Sequence, residues 1–188
     1  MKLRAKDIFL PTAVLFLICV IVAAALSGTN LLTKDKIAEQ AALKAEESRK
    51  LALSAADSFE PVNAGTENEY YVGKSGSDIA GYVFETSAKG YGGDVEVMTG
   101  ISRDGKITGV ILLDHEETPG LGANAEKEEF RAQFLQDVPE TLLKLVKYQA
   151  PQPGEVEAMT GASMTSRAVM NAVNEAIQQY RNIPEGDK

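Results

Sequence analysis

The spacing of apolar positions changes character several times along the chain, and each change predicts a different element. Residues 8–32 form 25 consecutive positions without a charge, and 9–26 are almost wholly apolar apart from Thr12. A bilayer-spanning helix needs about 20 such residues, so 8–32 is expected to cross a membrane once, behind a short tail over 1–7. The competing reading is a cleaved signal peptide, with Lys2, Arg4 and Lys6 as its basic region and Ala23-Ala24-Ala25 as an A-x-A site. The stretch exceeds the roughly 7–15 apolar residues of a signal peptide. It also runs into helix-forming sequence with no loop to expose a processing site, which favours a retained anchor.

Residues 33–60 switch to Ala, Leu, Glu and Lys, strong helix formers. Glu46 and Lys50 stand in the favourable i,i+4 order for an ion pair, and Pro61 ends the run. A continuous helix here is a stalk of about 40 Å at 1.5 Å per residue; the alternative is a helix folded back on the domain. From 62 to 113 the pattern becomes that of strands, over 70–72, 79–85, 94–101 and 107–114, with a hairpin turn at Arg103-Asp104-Gly105. Residues 125–147 read as helical, with Phe130, Phe134, Leu135, Leu142, Leu143 and Val146 as candidates for buried faces. Pro151 and Pro153 break that pattern, 155–159 suit a short strand, and a last helix runs from Thr165 to about Arg181. Its stripe of Val169, Met170, Val173, Ala176, Ile177 and Tyr180 is core packing. The fold class is α+β: a small antiparallel-sheet domain over 61–188 with flanking helices, preceded by a transmembrane helix and a helical stalk.

Charge separates the two parts. Residues 1–50 hold eight basic and five acidic groups, which leaves eleven basic and twenty-two acidic groups, a net of −11, in the rest. So acidic a domain repels phosphate backbones, and nucleic acid is excluded as a partner. Basic residues near the ends of the apolar segment are tied, Lys2, Arg4 and Lys6 against Lys34, Lys36 and Lys44, so the positive-inside rule does not decide orientation. The single cysteine, Cys19, lies inside the apolar segment, and the single histidine, His115, has no Cys/His cluster around it. No metal site is expected.

Three motif-like segments lose their meaning on inspection. Gly73-Lys74-Ser75 resembles the end of a phosphate-binding P-loop, but the glycine required five residues earlier is Asn68. Gly120-Leu121-Gly122-Ala123-Asn124-Ala125 fits G-x-G-x-x-A, yet it follows hairpin strands and a proline, outside any βαβ unit. Gly161-Ala162-Ser163-Met164-Thr165 lacks the last glycine of a nucleophile elbow, and His115 precedes the serine in the chain.

The segment Thr160-Gly161-Ala162-Ser163-Met164-Thr165-Ser166 has a better use. It joins a strand to a helix N-terminus, whose unpaired N–H groups and positive dipole end suit a phosphate; ordinary capping by Ser163 or Thr165 is the alternative. A second glycine-rich turn, His115-Glu116-Glu117-Thr118-Pro119-Gly120-Leu121-Gly122, follows a strand, and Tyr91-Gly92-Gly93 is a third.

Together these segments resemble the FMN-binding domain shared by the G subunit of the Rnf electron-transport complex and the C subunit of the sodium-pumping NADH:quinone reductase. The pattern there is E-T-P-G-L-G, then an acidic residue, then S/T-G-A-T. The likeness spans nearly the whole chain, and its short length is more similar to the Rnf subunit. The resemblance implies an electron-transfer subunit of an ion-translocating ferredoxin:NAD⁺ oxidoreductase, a redox component rather than an enzyme on its own. It implies FMN in phosphoester linkage to the last residue of S/T-G-A-T, here Ser163 in place of the usual threonine, with Thr165 as the alternative hydroxyl. Glu157 takes the acidic position of the modification signal, and a separate flavin transferase makes the bond from FAD. Thr160, Gly161, Ala162, Met164 and Thr165 on one side, Glu117, Thr118, Gly120, Leu121 and Gly122 on another, and Tyr91 with Gly92 are the implied cofactor contacts. His115 is expected to order its loop. No general acid or base is required, because phosphate linkage leaves the redox chemistry with the flavin ring. The implied partners are the other membrane and redox subunits of the complex. The implied location is the cell membrane, single-pass, with 1–7 cytoplasmic and the flavin domain outside the cytoplasm. The rival reading is a membrane-anchored extracytoplasmic binding module without redox activity.

Overall fold

The computed structural model describes residues 5–66 and 69–184; Lys2 and Arg4 of the basic tail, and Asn68, lie outside them. The chain divides into two units, Met1–Lys44 and Ala45–Lys188. The first is helical throughout its described length. It belongs to α1, Ala5–Ala52, a 48-residue helix that contains Pro11. From Phe9 onward α1 is long and apolar enough to cross a membrane. Thr29 and Thr33 return their hydroxyls to the carbonyls of Ala25 and Thr29, four residues back, so neither leaves a bare donor on the helix surface.

The second unit is built on an antiparallel meander of β1 (Ser58–Val62), β2 (Tyr70–Ser75), β3 (Asp78–Lys89), β4 (Asp94–Ser102) and β5 (Ile107–Asp114), in that spatial order. The β4–β5 hairpin turns at Arg103-Asp104-Gly105, where Gly105 adopts φ +80° and donates its N–H to Ser102 O. After β5 come a 3₁₀ turn (Gly122–Glu126), the short α2 (Glu128–Arg131) and a second 3₁₀ turn (Ala132–Phe134). β6 (Lys144–Val146) and β7 (Glu155–Glu157) pair in parallel, and α3 (Ser163–Asn182) closes the fold.

Strand periodicity decides what each face buries. Tyr82, Phe84, Val95 and Val97 meet Val169, Val173 and Ile177 of α3 in one cluster, while Val83 and Met98 point the other way to Ala52, Leu53 and Ala56. Residues 81–84 of β3 are therefore buried without interruption, whereas alternation returns at Glu85, Thr86 and Ser87. Thr86 is buried beneath α3 and satisfies its hydroxyl on Ala172 O at 2.9 Å. Burying Leu53 alone contributes about 2 kcal/mol.

The last turn of α1 sits in a glycine-lined notch of the sheet. A Cβ on Gly100 would overlap Ala52 O, and one on Gly109, its cross-strand partner, would lie 2.7 Å from Ala52 Cα. Thr108 Oγ1 donates to Ala52 O at 2.6 Å and satisfies one of the orphan carbonyls at the helix end.

Two expectations are corrected here. The helix after the apolar segment ends at Ala52, not near 60, and Pro61 lies inside β1. As the first strand of the meander, β1 tolerates a proline because only one side of it needs to donate to the ladder. Nor is 125–147 one helix; only short turns form before β6. Tertiary partners take the backbone groups a helix would use: Ile107 N donates to Gln136 O, Val138 N donates to Gly105 O, and Leu143 exchanges both backbone groups with the Asn174 amide at 2.8 and 3.1 Å. Phe130, Phe134 and Leu143 are buried as expected, but Leu135 and Leu142 are exposed.

Candidate functional site

Three connections that are far apart in sequence converge on one cavity of about 740 Å³. The first is the β3–β4 turn, closed by Gly90 N donating to Gly93 O at 2.8 Å, with Tyr91 exposed at its tip. A Cβ on Gly92 would overlap Glu116 O, so glycine is what lets this turn lie against the next segment.

The second connection follows β5. Thr118-Pro119-Gly120-Leu121 has proline second, glycine third at φ +79°, and Leu121 N donating to Thr118 O at 3.1 Å, the signature of a type II turn. Glu117 N donates to His115 Nδ1 at 3.3 Å, so His115 Nε2 carries the proton facing Glu126 Oε1 at 3.2 Å. The one histidine thus holds the loop at both ends of its ring.

The third connection is the start of α3. Its N-cap is Ala162, with no side-chain hydrogen bond to the first turn. Ser163 is the first helical residue and half-buried, while Met164 is exposed. Thr165 is buried, and its Oγ1 donates to Glu117 Oε2 at 2.6 Å. Neither hydroxyl caps the helix. The small residues Gly161 and Ala162 precede a helix start whose N–H groups are left for another acceptor.

Glu117 joins all three connections. Its Oε1 accepts from Tyr91 N at 2.7 Å and from Gly92 N at 3.3 Å, and its Oε2 accepts from Thr165. Burial pushes the Glu117 carboxyl up, but the hydrogen bonds from Thr165, Tyr91 and Gly92 outweigh it and hold the group below its ordinary value.

Most of the residues singled out in the sequence meet at this cavity: Tyr91, Glu117, Thr118, Leu121 and Gly122, together with Gly161, Ala162, Ser163, Met164 and Thr165. Gly92 stands behind it through its bond to Glu117, and Gly120 serves the turn. Thr160 and Glu157 line a different cavity, of about 370 Å³, with Lys127 and Gln133. Tyr148 is a lining residue that sequence reasoning missed. It is 91 % exposed and adopts φ +58°, and its signal was a lone aromatic just ahead of the polar, proline-rich turn at Pro151 and Pro153.

Residues 90–178 match the model of the FMN-binding domain, and residues 1–49 match that of the RnfG N-terminal region. The G subunit of the proton-translocating ferredoxin:NAD(+) oxidoreductase complex of Clostridium ljungdahlii is 33% identical, over 96% of this chain and 96% of its own. The chain belongs to the G-subunit family of ion-translocating ferredoxin:NAD(+) oxidoreductase complexes. Another relative in this family, the G subunit of the Na(+)-translocating complex of Acetobacterium woodii, is 36% identical over 95% of this chain and 94% of its own. Among solved structures, NqrC of Shewanella oneidensis superposes with a TM-score of 0.52 at 21% identity, covering 69% of this chain and 71% of that one. The C subunit of the Na(+)-translocating NADH-quinone reductase of Parabacteroides distasonis gives 0.53 at 23%, covering 65% and 66%. At these identities the likeness shows the fold. This G-subunit homologue is therefore a flavoprotein-family chain with an FMN-binding domain on an apolar N-terminal helix.

Proposed function

We propose that this chain is a membrane-anchored electron-transfer subunit of an ion-translocating ferredoxin:NAD⁺ oxidoreductase complex, holding FMN by a phosphoester on Ser163. The observation that carries the attachment site is the state of the two competing hydroxyls. Thr165 is buried and its hydroxyl is spent on Glu117, whereas Ser163 is half-buried, lines the cavity and caps nothing.

The residues present fit the group. The uncapped start of α3, with Gly161 and Ala162 before it, offers N–H donors to a phosphate. Gly161 at φ +79° has room for no side chain without pressing Leu121, whose Cδ2 would lie 3.3 Å from the added atom. Tyr91, Leu121, Tyr148 and Met164 are exposed apolar surfaces around the cavity, suited to a flat ring system. Bound FMN supplies one- and two-electron redox chemistry. The chain's own part is to bind, orient and tune it. In maturation, Ser163 Oγ bonds to the phosphorus of the FMN half of FAD, the pyrophosphate link breaks, AMP leaves, and a flavin transferase takes up the hydroxyl proton.

The test is full-length protein coexpressed with a flavin transferase, denatured, washed and digested. Flavin should stay with the peptide containing Ser163, disappear in Ser163→Ala and persist in Ser163→Thr. Release of all flavin on denaturation overturns the covalent reading, and FMN on Thr165 overturns the assignment. The membrane reading places the domain outside the cytoplasm and keeps residues 8–32 in the mature chain. Protease added to sealed spheroplasts should cut the domain, and intact mass should include residues 1–25; resistance or a shortened mass refutes the corresponding half.

A further inference from the structure

The geometry points to Glu117 as the positioning residue of the flavin site: its buried carboxylate clips the β3–β4 turn to the first turn of α3, so that Tyr91 and Ser163 face one cavity. This rests on reading that cavity as the FMN site. As a member of E-T-P-G-L-G, Glu117 was expected to contact the cofactor directly. Its two oxygens are instead turned to the protein, one to Tyr91 N and Gly92 N, the other to Thr165 Oγ1, across 26, 25 and 48 residues of sequence. All three partners are donors, and none is a basic side chain. A carboxylate is the one side-chain group of this length that accepts on both oxygens and donates on neither.

The surrounding glycines support the same role independently. A Cβ on Gly90 would overlap Glu117 Oε1, and one on Gly122 would lie 2.5 Å from Glu117 Oε2 and 2.6 Å from Thr165 Oγ1. Glycine on both sides lets three backbones close around one carboxylate. The residue is only 6 % exposed although it lines the cavity. A fixed negative charge in that wall disfavours adding electrons to a group held there, so it lowers the potential of bound flavin.

Leucine is of similar bulk but accepts no hydrogen bond, so Tyr91 N, Gly92 N and the Thr165 hydroxyl all lose their partner, whereas glutamine can keep its oxygen on the two amides and donate to Thr165 Oγ1. In the full-length protein made without flavin and held in detergent micelles, Glu117→Leu should speed amide exchange at Tyr91 and Gly92 by about tenfold, the loss of one hydrogen bond at each. Val83 and Phe84 amides in β3 should stay protected, showing the sheet intact. Thr165→Val removes the third donor at the other end of the clip. It should slow flavin incorporation by the transferase by about tenfold, and Thr165→Ser should restore it. In loaded protein, Glu117→Gln should raise the flavin midpoint potential, which a merely structural residue would not move. Unchanged exchange at Tyr91 and Gly92 in Glu117→Leu overturns the proposal, as does wild-type incorporation in Thr165→Val. Should Glu117→Leu unfold the sheet, the Thr165 pair decides. Failure of the Ser163 reading is distinct, because FMN on another residue would leave the exchange result of the flavin-free protein standing.

Discussion

Gly122→Ala puts a single methyl group between the two partners of the clip, Glu117 and Thr165. The added carbon would lie 2.5 Å from Glu117 Oε2, 2.6 Å from Thr165 Oγ1 and 2.9 Å from Glu117 Cβ. Its neighbours cannot give cheaply, because the carboxylate is held from the far side by Tyr91 N and Gly92 N. Relieving the overlap means parting the Glu117–Thr165 hydrogen bond, a charge-assisted bond whose loss costs about 1.5–3 kcal/mol. Residual overpacking adds about 1 kcal/mol or more. The expected destabilisation is thus about 3 kcal/mol, or a fall in Tm of roughly 6–12 °C for a unit of this size. Gly120→Ala is the control: nothing lies within 4 Å of its added carbon, so only the left-handed backbone, φ +79°, penalises it, by about 1 kcal/mol. The assay is urea unfolding of the full-length protein in micelles, followed by near-ultraviolet circular dichroism of the packed tyrosines Tyr82 and Tyr180, whose ring centroids are 5.8 Å apart. Adding Thr165→Ala removes one of the clashing atoms, so the double variant should be less than additive by about 1 kcal/mol. A Gly122→Ala protein within about 0.5 kcal/mol of wild type would refute the packing argument.

Gly100→Ala drives a methyl group into Ala52 O and should destabilise the domain by about 3 kcal/mol or more, measured by the same unfolding assay. Because hydrogen bonding holds the Glu117 carboxyl below its unfolded value, its stabilising contribution is fully present above about pH 4.3 and is lost as pH falls through the folded value. Glu117→Gln should accordingly weaken the acid dependence of urea unfolding between pH 7 and the acid limb, and an unaltered pH profile would count against it. Tyr148→Ala should shift the visible absorption of bound flavin while peptide mass spectrometry still finds the flavin on Ser163, since Tyr148 is 91 % exposed and holds no part of the core.

Wherever burial follows a repeat, the chain is legible without its structure. The 25 uncharged positions, strands β2 to β5 and the stripe on α3 each follow a local pattern, and each of these elements occurs where that pattern puts it, whereas β1 lies where the sequence has helix formers and a proline. The same holds for the site segments, because glycine, proline and small residues announce turns and a helix start through their own backbone limits. Tertiary structure decided what local pattern could not. Residues 125–147 have helical spacing, but the amides of Val138 and Leu143 are taken by Gly105 and Asn174 from elsewhere in the chain. The choice between Ser163 and Thr165 as the free hydroxyl rests on Glu117, 48 residues from Thr165 in sequence and 2.6 Å away in space. Tyr148 reaches the cavity from the connection between β6 and β7, whose parallel pairing no local pattern announces. Sequence spacing carries the chemistry of each segment, while their meeting depends on long-range hydrogen bonds and on glycines that admit a neighbouring backbone.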